Sequence, residues 1–285
     1  MTRRTIEAPA KINLGLEILG RRPDGYHEIR TVMCTISLCD TISFEPTGAD
    51  ADEFDFKPAT SYVPTESNLV ARTLEAMRRA GVGIPPQRVT IRKRIPTAAG
   101  LGGASSDAAA TLLIFEEEIG SNGADIDALA AGLGSDVPFF LHSPAALASG
   151  RGEIIQPLPP PDPDRWIVLA TPRLAIENKT SGMYAAVDPA WWSSGARVEA
   201  VASALPSLPS KAPFNVFERA LLRMYPQLER IPRAMVDAGV AFAALTGAGP
   251  TFYGLVPGEE DAREIAERIR TAGIEVNVAR VGWKR

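Results

Sequence analysis

The chain has 285 residues, 45% hydrophobic and 22% charged, with a formal net charge of -4. That length suits one large domain or two ordinary ones around a sizeable core; the composition is that of a soluble globular protein, and the acidic balance gives no footprint for a nucleic-acid partner. Cys34, Cys39, His27 and His142 are too few and too scattered to assemble a zinc-type ligand set. Reduced thiols and a cytoplasmic location are expected, and the start MTRRTIEAPAK, basic but without a following apolar core, argues against a secretory signal.

In chain order, Thr5 to Ile18 alternates as strands around a break at Ala8-Pro9-Ala10, and Asp24-Gly25 signals a turn before Tyr26 to Ile29, so hairpins should dominate the N-terminal part. Ser67 to Ala80 carries Leu69, Val70, Leu74 and Met77 at helical spacing, with Thr65 or Ser67 to cap it and Gly81 to close it. Val89 to Ile95 is the next strand, and Arg88, Arg92, Lys93 and Arg94 make it basic; they read either as a solvated strand face or as partners for a nucleotide's phosphates. It leads into IPTAAGLGGASSD, residues 95 to 107, a loop of small residues opening a helix over Ala104 to Ile114. Such a loop aims unpaired backbone amides at one point, where the helix dipole adds positive charge, and phosphate is the natural guest. It is neither of the two common phosphate loops: no lysine lies between Pro96 and Asp107, as the Walker A pattern needs, and Ser105 stands where the dinucleotide pattern needs its third glycine. The plainer reading is a tight turn with Ser105 or Ser106 as helix cap.

A helix over Ile126 to Ala131 ends at Gly132-Leu133-Gly134, and Asp136 stands before Val137-Pro138 as the N-cap of a proline-initiated helical turn would. Pro157 to Pro163 is dense in proline and looks like a semi-rigid linker, which divides the chain into units 1–157 and 158–285. Beyond it come a strand at Trp166 to Ala170, helices at Lys179 to Val187, Val216 to Tyr225 and Leu228 to Ala238, paired strands at Ala241 to Leu245 and Thr251 to Val256, a helix at Glu260 to Ala272 and a strand at Glu275 to Val281. Helices laid over one face of an antiparallel sheet make an α+β protein. Ala238 to Gly258 has no charged residue, but Thr246-Gly247-Ala248-Gly249-Pro250 would break a spanning helix, so no membrane segment is expected.

Four segments are too rich in Gly, Pro and polar groups to be mere core: APAKINLGLEI, where Lys11 interrupts an apolar strand and reads on its own as an edge lysine turned to solvent; the glycine loop; GLGSDVPFF around Asp136; and LTGAGPTFYGLV, on its own a glycine-rich hairpin. Their order and spelling resemble those of the GHMP small-molecule kinases, from Ala8 to Val256. The resemblance implies a two-domain fold, an N-terminal ribosomal-protein-like α/β domain followed by a C-terminal ferredoxin-like α+β domain, and ATP with Mg2+ as the phosphoryl donor. Within the family, PAKINLGLEILGRRPDGYHEI with GLGGASSDAA and GSDVPFF is similar to the branch of the non-mevalonate isoprenoid pathway whose acceptor is a cytidine-diphosphate-linked methylerythritol.

By that resemblance Lys11 and Asp136 form the catalytic pair, and Pro96, Thr97, Ala98, Ala99, Gly100, Leu101, Gly102, Gly103, Ala104, Ser105 and Ser106 wrap the ATP phosphates, with Asn68 and Lys93 on the adenine side. Asn13, Tyr26, His27 and Tyr184 face the cytidine end, Gly247 and Gly249 adjoin the acceptor, the magnesium ligands are unassigned, and a monomer or homodimer is implied. Asp107 stands where related enzymes commonly carry Asn, and Ala98 and Ala99 replace glycines often found before the loop. A kinase for another alcohol (mevalonate, homoserine or a sugar) and a non-catalytic nucleotide-binding relative are the competing readings. Trp191 and Trp192 have no recognised counterpart.

Overall fold

The computed structural model describes residues 2–142, 144–174, 176, 179–270 and 274–283. Six strands form the first sheet: β1 (Arg4–Arg21), β2 (His27–Pro46), β3 (Glu53–Lys57), β4 (Gln87–Arg92), β5 (Ala145–Ser149) and β6 (Ile154–Pro157). Their order is β3-β4-β2-β5-β6, with β1 paired to β2 and only the β3–β4 pair parallel. Four helices, α1 (Leu69–Arg79), α2 (Gly103–Ile119), α3 (Ile126–Leu133) and α4 (Val137–His142), pack with it around Phe44, Leu74, Val89, Ile91, Phe115 and Phe139. Phe44 and Phe115 meet edge to face, ring centroids 5.0 Å apart.

The second sheet is antiparallel, β7 (Trp166–Thr171), β8 (Ala244–Leu245), β9 (Phe252–Val256) and β10 (Glu275–Arg280), in the order β10-β7-β9-β8. The two-residue period of β7 sorts its side chains between two cores. Val168 and Ala170 face a cluster built with α5 (Lys179–Ala186), α7 (Val216–Met224), α8 (Arg230–Asp237) and α9 (Glu259–Arg270). Ile167 and Leu169 face Ile12 and Leu14 of β1, so the first sheet covers the side of the second that its own helices leave open. That explains a strand whose residues are almost all apolar.

The expected α+β class holds. The free edge of β1 is where expectation and structure part: Lys11 is 4% exposed, because the glycine loop and the turn between β8 and β9 lie along that edge. Its backbone amide bonds the Leu101 carbonyl (2.9 Å), and the Asn13 amide bonds the Thr246 hydroxyl (3.1 Å). A helix absent from the sequence reading, α6 (Ala196–Ala204), lies against β1 with its Val198 amide bonded to the buried Glu17 carboxylate at 2.9 Å. Strands β5 and β6 were likewise unforeseen, β8 keeps only the end of the expected Ala241–Leu245 strand, and a 3-10 turn over Pro226–Glu229 precedes α8. Positions 271 and 272 of the expected last helix lie outside the described residues. Among the described residues no helix is long and apolar enough to cross a membrane.

Candidate active site

Where the two sheets' loops meet, a cleft of about 1470 Å³ opens along the glycine loop. The loop is shaped by close approach. Gly100 has φ +84°, and a Cβ there would lie 2.4 Å from the Thr246 carbonyl oxygen and 2.9 Å from that of Gly249, so no side chain fits. Gly102 (φ +71°) is the N-cap of α2, against the Lys11 stem and the Phe140 ring. Ala98 holds φ +54°, a left-handed conformation that disfavours any residue but glycine. Neither Ser105 nor Ser106 caps α2, since the helix has no side-chain cap. The Ser106 backbone amide donates to the Gly102 carbonyl (2.9 Å), while the amides of Gly103, Ala104 and Ser105 precede this first intrahelical bond and need partners from outside the helix.

Lys11 projects beside this turn. Its Nζ donates to Asn13 Oδ1 at 2.7 Å and stands 3.4 Å from Asp136 Oδ2. Asn13 is pinned on every side: its Nδ2 donates to the Thr31 hydroxyl (2.8 Å), which donates to the Gly15 carbonyl (2.6 Å), while the Tyr253 hydroxyl donates to the Asn13 carbonyl (3.0 Å). This chain orients the amide oxygen of Asn13 toward Lys11 and fixes the ammonium. Asp136, at the start of α4, has its side chain 36% exposed and so presents a carboxylate to the cleft.

Lys93 also lines the cleft, but its ammonium is engaged by Asp40 and, at 2.7 Å, by Asp107. Asp40 further accepts the amides of Arg94 (2.6 Å) and Ile95 (2.9 Å), anchoring the chain as it enters the loop. Burial drives the Asp107 carboxyl up, against the pull of Lys93 and with the help of Asp40. Burial draws Lys93 down, but Asp107 and Asp40 outweigh it and hold the ammonium charged. Thus Asp107, troublesome beside a phosphate on paper, is turned onto Lys93. Arg88 is exposed and paired with Glu53 (2.9 Å), and Arg92 is exposed on the same strand, as a solvated face requires. Asn68 caps α1 through Oδ1 (Val70 amide, 3.0 Å), leaving its Nδ2 buried without a partner near cleft-lining Phe56, Val63 and Ile91.

At the other end of the cleft His27 stacks on Tyr184 (centroids 5.0 Å, planes at 16°), with Trp192 edge-on at 6.4 Å, and Tyr184 meets the Phe217 edge at 4.9 Å. Tyr26 is 56% exposed with the Arg151 guanidinium over its ring at 4.9 Å. Burial, then Arg21, lowers the His27 pKa and keeps the imidazole neutral, with one donor and one acceptor nitrogen. Burial, then Asp136, raises that of Tyr184.

The cleft therefore gathers Lys11, Asp136, Asn13, Tyr26, His27, Tyr184, Asn68, Lys93, Gly247 and the loop from Pro96 to Ser105. Ser106 and Gly249 are buried and do not line it, the Ser106 hydroxyl having no partner. Sequence reasoning missed Arg21, Arg151, Lys179 and Trp192, all in the wall. Isolated cations at element ends or in loops, and a tryptophan after a short turn, carry no local pattern, so nothing in their spelling marked them. Among the described lining residues five are cationic (Lys11, Arg21, Lys93, Arg151, Lys179) and two acidic (Asp107, Asp136), a balance suited to a polyanion. No three His, Cys, Asp or Glu side chains among the described residues cluster to hold a metal.

The chain is similar to known proteins over nearly its whole length. Residues 68–143 match the GHMP kinases N terminal domain and residues 197–275 the GHMP kinases C terminal domain. The chain is 39% identical to a 4-diphosphocytidyl-2-C-methyl-D-erythritol kinase of Symbiobacterium thermophilum, over 96% of this chain and 98% of that protein. It is 38% identical to one of Pelotomaculum thermopropionicum, over 97% of each. A crystal structure of a 4-(cytidine 5'-diphospho)-2C-methyl-D-erythritol kinase superposes with a TM-score of 0.83 at 34% identity, covering 99% of this chain and 100% of that one. A homoserine kinase from Cytophaga hutchinsonii shares the fold, with a TM-score of 0.70 at 15% identity, over 99% and 95% of the two chains.

Proposed function

The chain belongs to the GHMP kinases, in the family of 4-diphosphocytidyl-2-C-methyl-D-erythritol kinases, and on that premise we propose that its cleft transfers the γ-phosphoryl group of ATP to the 2-hydroxyl of 4-diphosphocytidyl-2-C-methyl-D-erythritol. The observation that carries the reading is the pairing of Lys11 with Asp136, 3.4 Å apart, beside the unpaired first-turn amides of α2. Phosphoryl transfer passes through a loose transition state with charge on the outer oxygens, so the protein's tasks are alignment and charge stabilisation. The amides of Gly103, Ala104 and Ser105 cradle phosphate oxygens. Lys11, locked by Asn13, stabilises charge as the phosphoryl group moves. Asp136 accepts the acceptor's hydroxyl proton; because that proton leaves late, the base need not be strong. The remote lysine supplies the cation that the loop itself lacks.

The unpartnered Asn68 amide and the apolar wall around it suit the adenine edge and face. Lys93 supports that pocket as a buried ion-pair member. The cytosine lies at the Tyr26, His27 and Tyr184 end, where aromatic faces stack and the neutral imidazole reads the edge. His27 and Tyr184 already stack on each other, so the base adds to that stack or opens it. Magnesium fits as an ion arriving with the triphosphate, which neutralises phosphate charge: it would be held by phosphate oxygens and water, since no three His, Cys, Asp or Glu side chains among the described residues cluster to hold it.

Incubating the purified protein with ATP, magnesium and a panel of alcohols (the cytidine-linked acceptor, mevalonate, homoserine, galactose) and following products by phosphorus NMR tests the reading. Phosphorylation of the cytidine-linked alcohol alone is expected. Turnover of another alcohol in its place, or of none, overturns it.

A further inference from the structure

Lys179 is a cation of the cleft wall to which the reaction scheme above gives no part. It opens α5 and reaches across to both glycine turns, its Nζ donating to the Ala98 carbonyl (2.6 Å) and to the Gly249 carbonyl. Among the described residues it meets no carboxylate. A half-buried ammonium with only neutral acceptors keeps much of its desolvation penalty. Lys11 adds a like charge from β1, and burial first, then that repulsion, lower the Lys179 pKa to about 8. Of the other titratable groups on the elements around it, Glu218 of α7 is turned to the Leu245 amide (3.3 Å), Tyr184 lies against His27, and Asp136 pairs with Lys11. Two lysines and a helix N-terminus thus converge on one space, and a polyanion placed there would turn their mutual repulsion into attraction.

We propose that Lys179 is a second catalytic cation of the kinase reaction, its ammonium turning from the Ala98 and Gly249 carbonyls to the terminal phosphate oxygens when nucleotide binds and sharing with Lys11 the charge of the migrating phosphoryl group. The inference rests on the functional reading above. Once nucleotide is bound Lys179 stays protonated through the transfer, and the phosphorus–oxygen bonds made and broken are those already described. Contact with phosphate must raise its pKa, so nucleotide binding near pH 8 draws in a proton.

The test combines calorimetric titration of a non-hydrolysable ATP analogue at pH 8, in two buffers of different ionisation enthalpy, with kcat/KM for ATP against pH, for the wild type, Lys179→Met and Lys179→Arg. The wild type should take up about half a proton on binding and lose kcat/KM as pH rises past about 8. Lys179→Met should take up none and fall about a hundredfold in kcat/KM, while Lys179→Arg should keep most activity and lose the alkaline decline, because guanidinium stays charged. Wild-type-like proton uptake with kcat/KM within about twofold in Lys179→Met overturns the proposal and leaves the kinase reading intact. Should the Met variant fail to fold, the Arg variant decides alone: an unchanged alkaline decline overturns it. Lys179-dependent proton uptake in a wild type that phosphorylates no acceptor upholds the phosphate contact and overturns the functional reading.

Discussion

Replacing Gly100 by alanine probes the join between the glycine loop and the β8–β9 turn. Two effects add. At φ +84° an L-residue in the left-handed region costs about 1–2 kcal/mol. The new Cβ would stand 2.4 Å from the Thr246 carbonyl oxygen, a backbone atom that cannot swing aside, and overpacking of that kind costs about 1–3 kcal/mol. Gly123 supplies the control: its φ is +82° and no atom lies within 4 Å of an added Cβ, so Gly123→Ala carries the first cost alone. Urea unfolding of both variants, followed by tryptophan fluorescence, should therefore separate them by about 1–3 kcal/mol, with the loop variant the weaker and the slope with denaturant unchanged. Gly100→Ala should also lower kcat, since the same loop carries the Leu101 carbonyl that takes the Lys11 amide. Equal losses in the two variants would refute the close approach of the turns.

Asp136→Asn should reduce turnover by roughly a thousandfold while KM for ATP changes little, as steady-state kinetics would show; retention of activity removes Asp136 as the base. Tyr184→Ala should raise KM for the cytidine-linked acceptor far more than KM for ATP, and equal effects would mean that the two ends of the cleft are reversed. Asp107 titrates across an acid window. Burial lifts its folded pKa to about 7, above the unfolded carboxyl value near 4, so its contribution is present below that unfolded value and is lost as pH rises through about 7. Asp107→Asn should flatten that part of the stability curve in unfolding experiments between pH 4 and 8, and an unaltered curve would refute the argument.

Lys11, Asp136 and the glycine loop each left a local mark in the sequence: a lysine in an apolar strand, an aspartate after a double-glycine turn, a run of glycines before a helix. Motif order then joined them. The burial of Lys11 was not legible, because the chain covering its strand edge comes from residues near 100 and 246, and no window around Lys11 contains them. The ion pairs of Lys93 were hidden from the sequence for a related reason. Its basic neighbours suggested a phosphate site, while Asp40, which claims it, lies 53 residues away. Helix α6 follows WWSSGA, where the glycine and serines read as loop, and its hold on the fold is the distant Glu17 carboxylate. Trp192 reached the His27 stack the same way, through tertiary packing with no periodic signal behind it.

The strand that carries Lys11 and Asn13 leaves the ribosome well before the Thr246 hydroxyl that receives the Asn13 amide, which is made 233 residues later. A nascent chain can pair β1 with β2 early, but it cannot clamp Lys11 and Asn13 until synthesis has passed Tyr253. The clamp on Lys11 therefore closes only once the β8–β9 turn has been made, and a chain halted before that turn should display β1 paired with β2 while Lys11 and Asn13 remain unclamped.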